Sequence, residues 1–193
     1  WGEAEQRQLL ATFASDDAVI WAEGDAPEVD GLRRDQLHES NTLVIWSVPA
    51  GESDFQAALQ AVNPAHVVLF AWDTGTDSVQ LFLQRFGGVV KHMLNAKQGC
   101  TTIDALCGAM SHTAETIRAG LQWMAARGHI TLIHDDGVNI EIAQSGPEHR
   151  IDFAATTSRL AERLQEAAAY RAYFQRADTD SLLKIERPKL KGV

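Results

Sequence analysis

Glu23 and Asp73 are carboxylates placed for chemistry, because each follows an apolar run that reads as a strand. Acids at one edge of a sheet can hold Mg²⁺ for phosphoryl chemistry. Asp73-Thr-Gly-Thr76 has the form of a loop that carries a phosphoryl-accepting aspartate. No second aspartate stands two residues after Asp73, and no acidic pair with glycine follows a fourth strand. The expected role is therefore structural: Asp73 and Thr76 form a turn and cap the next helix. Cys100 and Cys107 are spaced C-x₆-C with His112 five residues on, whereas structural zinc sites favour short-spaced pairs. Cys107 is expected in the core and Cys100 at a helix end, with no metal or other cofactor bound by these residues. His134-Asp135 has no nucleophile matched to it, and neither G-x-x-x-x-G-K-[ST] nor G-x-G-x-x-G occurs.

The residues best suited to contacting a partner lie further along. An amphipathic stretch over residues 112–127 is expected to expose His112, Glu115, Arg118, Gln122 and Arg127. A later helix adds Arg171 and Arg176, within Tyr170-Arg-Ala-Tyr173-Phe174. Aromatics there can stack on unpaired bases or pack on the preceding domain. Charge limits the nucleic-acid reading. The net charge of −9 is concentrated in residues 1–75, which hold 13 acids and 3 bases. Residues 76–145 hold 6 and 5, and residues 146–193 hold 7 and 9. Nucleic-acid affinity comes mainly from Lys and Arg displacing counterions, so any such contact must come from the second half.

The elements that position these groups follow from periodicity. Ala18–Ala22, Leu43–Val48 and Val67–Trp72 are near-continuous apolar runs, which suit strands of a parallel sheet covered on both faces. Residues 52–62 supply one crossover helix through Phe55, Ala58, Leu59 and Val62, and residues 31–40 are a weaker candidate for the other. Residues 3–13 are expected as a further helix, with Leu9, Leu10 and Phe13 on the sheet. From Asp77 the period turns helical, and Gly87-Gly88 predicts a kink or break. Thr101 or Thr102 then caps a short helix with Ile103, Leu106 and Cys107, and Gly108–Ser111 is a tight connection. A longer helix carries Ala114, Ile117, Leu121 and Met124 inward and stops at Gly128. A hairpin follows, with Ile130, Leu132, Val138, Ile140 and Ile142 on one face and Asp135-Asp136-Gly137 as its turn. Residues 156–177 form a last helix, with Leu160, Leu164, Ala167, Ala168, Tyr170 and Phe174 inward and the arginines mostly outward.

The fold expected is α/β: a small three-stranded parallel α/β layer (1–75), then a winged helix-turn-helix (76–145), then a C-terminal helix and basic tail (146–193). The outward face of the third winged-helix element carries two cations against one acid, and the hairpin tip is acidic. Readers of DNA bring more Arg and Lys than this. A docking module is the leading expectation, and a winged-helix transcription regulator with an α/β sensor domain is the alternative. No run of eighteen apolar residues is present, so no membrane span is expected. The residues from Trp1 do not read as a secretory leader, and two cysteines fit a reducing cytoplasm.

Leu43-Val-Ile-Trp-Ser-Val-Pro49, Val62-Asn-Pro-Ala-His-Val-Val-Leu69, Met110-Ser-His-Thr-Ala-Glu-Thr-Ile117, Leu121–Ile130 and Leu164–Phe174 together form a pattern. It resembles the C-terminal region of RecJ-type single-strand-specific DNA exonucleases. In that family a strand ending in Asp/Ser-x-Pro leads to a helix, a Pro-x-x-Val strand, a winged-helix-like stretch and a final helix. The resemblance implies that 5′-to-3′ hydrolysis with Mn²⁺ or Mg²⁺ belongs to an upstream nuclease core bearing Asp-His-His signatures. No catalytic residue carries over to these positions. The implied partners are that core, a single-strand-binding protein or single-stranded DNA.

Overall fold

A computed structural model describes residues 17–24, 29–144 and 153–183. The expected helix over 3–13 and the basic tail after Leu183 lie outside these residues. Three parallel strands, β1 (Ala18–Trp21), β2 (Thr42–Ser47) and β3 (His66–Trp72), form a sheet in the order β1-β2-β3. The middle strand is buried from Leu43 to Ser47, which explains why its sequence lacks polar alternation. Leu43 and Ile45 face a core with α1 (Glu52–Val62), whose Phe55, Ala58, Leu59 and Val62 are the buried stripe expected. Val44 and Trp46 face the other way, with Ile20, Val68 and Phe70.

The 31–40 stretch is not an α-helix; only Arg34–Gln36 forms a single 3-10 turn. Backbone bonding explains the difference. Leu32 exchanges hydrogen bonds with Ile20 and Ala22, which ties this segment alongside β1 in extended form.

The second half begins with α2 (Val79–Ala96), followed by β4 (Cys100–Thr102), α3 (Ile103–Met110) and α4 (Ala114–Ala126). Strands β5 (Ile130–Asp135) and β6 (Asn139–Gln144) complete an antiparallel sheet in the order β4-β6-β5. Helix α2 runs unbroken through Gly87-Gly88, contrary to the kink expected there. Phe82, Phe86, Val90 and Met93 bury one stripe across both sides of the glycines, and this packing overrides their low helix propensity. Ser78, rather than Thr76, caps α2 by accepting from the Leu81 N–H. Thr102 caps α3 as expected, and Ser111 ends it in the left-handed region. Residues 108–110, expected in a connection, therefore belong to the helix. Cys100 lies in β4 opposite Glu141 rather than at a helix end, while Cys107 is buried.

Ile130, Ile140 and Ile142 are buried in the hairpin, but Leu132 and Val138 are exposed. Val138 lies in the turn before β6 rather than in a strand, and a register shift follows Leu132 in β5. Helix α5 (Phe153–Phe174) has no core of its own. Leu160 and Leu164 join the core of α2–α4, whereas Phe174 packs edge-on against Phe55 at 5.2 Å beneath the parallel sheet. A short α6 (Thr179–Leu182), capped by Asp178, adds Leu182 to that second core.

Candidate functional site

Helix α4 is held by one face and shows the other. Its cap is Thr113, which accepts from the Thr116 N–H, and Ile117 and Leu121 point into the core. Gly120 sits where a Cβ would come within 2.8–2.9 Å of the buried Phe82 and Phe86 rings, so glycine lets α4 approach α2 closely. This contact fixes the helix that carries Arg118, Gln122 and Arg127.

The cations on that face are already engaged. Arg118 holds both carboxylate oxygens of Asp135, at 2.8 and 3.2 Å, and also donates to the Gly137 carbonyl. Helix and hairpin tip are thereby clamped together, and the guanidinium keeps the Asp135 carboxyl below the ordinary carboxylate range. Arg127 lies over the Phe153 ring at 4.2 Å and the Trp123 ring at 5.5 Å. Gln122 is exposed and accepts from Arg159 at 3.4 Å. Arg176 is exposed near the end of α5.

His112 and Arg171 are not surface residues, contrary to expectation. Arg171 is 1% exposed and His112 fully buried. The Arg171 guanidinium reaches the Asp77 carboxylate at 2.5 Å and donates to the Ser111 carbonyl. The His112 Nε2 lies 3.2 Å from the Thr76 hydroxyl and 3.8 Å from Asp77, and its ring stands edge-on to Phe82. These groups form one polar knot where the β3–α2 loop, the α3–α4 turn and α5 meet. Its partners are distant in sequence, so no local periodicity points to it.

Burial, reinforced by Arg171, pushes His112 down to about 3, so its imidazole is neutral in the folded protein. The unfolded chain takes up this proton near pH 6.5. The neutral-histidine contribution is therefore complete above pH 6.5 and declines as pH falls towards 3, by about 1.4 kcal/mol per unit. Asp54, lifted to about 6 by burial against the pull of Arg34, acts oppositely between its ordinary value and 6. Because Asp54 offsets most of the His112 contribution below about pH 6, urea denaturation at pH 7, 6 and 5 should show only a shallow decline of the wild type below 6.5. His112→Asn should leave the opposite slope of Asp54, with stability rising from pH 7 to 5, and an unchanged slope would contradict the assignment.

A second polar cluster occupies the carboxyl end of the parallel sheet, where ligands of such sheets bind. Arg34 is bidentate to Glu23 at 2.8 and 2.6 Å and reaches Asp54 at 2.9 Å. Ser47 ties the backbone of Glu23 to β2 through two hydrogen bonds of 2.9 Å. Glu23 is thus committed to Arg34. Asp73 accepts from the Gly75 N–H at 2.9 Å, in the turn expected of it. Arg34 escaped the sequence reading because its acidic partners are 11 and 20 residues away. Among the described residues, no group of three or more His, Cys, Asp or Glu side chains is arranged to hold a metal ion. No described helix is long and apolar enough to cross a membrane.

No family model, no curated protein and no solved structure matches this chain.

Proposed function

We propose that this chain is a non-catalytic accessory unit of a RecJ-like single-stranded-DNA exonuclease, in which residues 76–145 act as a winged helix-turn-helix that docks protein. The observation carrying the proposal is how the quoted segments fall on the elements. Leu43–Pro49 covers β2 and its exit, Val62–Leu69 leads from α1 into β3, Met110–Ile130 runs from α3 through α4 into β5, and Leu164–Phe174 lies on α5. The order helix, strand, helix, helix, strand, strand with sheet order β4-β6-β5 supports the winged-helix part. Engagement of Arg118 by Asp135 and of Arg127 by two rings favours docking over reading of base edges.

In this reading the nuclease core lies upstream in the same polypeptide and holds the Mn²⁺ or Mg²⁺ that supplies the hydrolytic chemistry. The setting is cytoplasmic, and a single-strand-binding protein or single-stranded DNA is the further contact. The test is digestion of 5′-labelled single strands with Mn²⁺ by the parent polypeptide, with and without residues 17–183, and by this chain alone. The chain alone should leave the label intact. Its removal should change processivity or stimulation by single-strand-binding protein. Cleavage by the chain itself, or no effect of its removal, would overturn the proposal.

A further inference from the structure

The outward side of α2 carries a feature that the fold does not require. Gly87 and Gly88 lie in the middle of this 18-residue helix, and a Cβ at either would meet nothing within 4 Å. Mid-helix glycine disfavours the helix relative to alanine, and here no neighbouring atom demands its small size. Gly87 instead lines an open groove of about 800 Å³. Leu83, Leu94, Trp123, Met124 and Ile130 give it apolar walls. The stripe from Gln80 to Asn95 runs about 22 Å along the helix, at about 1.5 Å per residue. Lys91 and His129 stand at this groove, and no acidic side chain is among its described lining residues. This is notable on a chain of net charge −9.

We infer that this groove receives an acidic amphipathic helix of a partner protein. Its apolar stripe would lie over Gly87, between α2 and Trp123, with carboxylates towards Lys91 and His129. Helices dock into grooves through such i, i+3, i+4, i+7 anchors, and absence of a side chain at Gly87 lets the two backbones approach. A nucleic-acid strand fits the groove less well, because one lysine supplies little phosphate neutralisation.

The inference rests on the docking role proposed above and names the partner's chemistry. It is tested by fluorescence anisotropy on the whole chain with three labelled probes. One is a synthetic helix of about 16 residues, the length of the stripe, with leucines on one face and glutamates on the other. The second carries lysine for each glutamate, and the third is a single-stranded oligonucleotide of thymidines. The acidic probe should bind in the micromolar range, and at least tenfold more tightly than the basic one. Gly87→Leu should weaken it at least tenfold while thermal melting shows a folded chain. Lys91→Glu, an exposed change that leaves the groove's shape intact, should weaken it several-fold. Equal affinity for both peptides, indifference to both substitutions, or preferential oligonucleotide binding in competition would overturn the inference. If deletion of residues 17–183 still alters the parent nuclease in that event, the docking role survives and the groove is not where it resides.

Discussion

Arg171→Met should destabilise the chain by about 3–5 kcal/mol, because it leaves a largely buried carboxylate without its counter-charge. Asp77 keeps only 16% of its side chain exposed, and the Ser111 carbonyl loses its charged donor. Methionine preserves much of the side-chain volume, so the loss measures the polar knot rather than a cavity. The knot also joins the two cores, since Arg171 on α5 reaches residues 94 and 60 positions earlier in the chain. Urea unfolding followed by tryptophan fluorescence and by circular dichroism should coincide in the wild type and separate in the variant. Trp21 and Trp46 report on the parallel sheet and Trp123 on the α2–α4 core. The double variant Arg171→Met/Asp77→Leu should lose less than the sum of the two single changes, since neither charge is then stranded. Strict additivity would mean that the pair is not coupled.

Gly99→Ala should cost about 3 kcal/mol by a different route. Gly99 has a φ of +81°, which alanine adopts only under strain, and its Cβ would fall 1.9 Å from the Ile142 carbonyl oxygen. The Ile142 N–H donates to the Gly99 carbonyl at 2.9 Å, so moving the loop aside also disturbs the β6 backbone. Strain and the displaced hydrogen bond act together. Gly87→Ala is the control, with no atom within 4 Å of its new methyl, and it should stabilise α2 by about 1 kcal/mol. Thermal melting of the two variants should move in opposite directions. Equal shifts would contradict the close approach of the α2–β4 turn to β6.

The parts of the fold that were legible are those where one local signal dominates. The runs at Val19, Leu43–Val48 and Val67–Trp72 read as parallel strands because both faces of the middle strand are buried, and α1 read correctly from its four buried residues. Thr102, one of the two threonines expected to cap α3, does so because a hydroxyl before an apolar stripe has an unpaired N–H to satisfy. Where tertiary contacts decide, the local signal failed. Gly87-Gly88 did not break α2, since Phe82 and Phe86 on one side and Val90 and Met93 on the other anchor it. The β4 strand of Cys100–Thr102 is polar and short, and exists because β6 offers it an edge. Of the six contact candidates, Arg118, Gln122, Arg127 and Arg176 keep some exposure, while His112 and Arg171 moved inside. Their burial depends on Thr76 and Asp77, which lie in the β3–α2 loop, far from either residue in sequence.

If the α4 face and its hairpin dock protein rather than read DNA, their internally paired cations leave little affinity for phosphate. The most direct measurement is anisotropy titration of this chain against labelled duplex and single-stranded oligonucleotides at about 50 and 200 mM salt. No binding tighter than about 1 μM to either is expected at the lower salt, and Arg118→Ala and Arg127→Ala should change little. Sub-micromolar duplex binding that falls steeply with salt and disappears in those two variants would contradict it, and would identify the chain as a DNA-reading regulator instead.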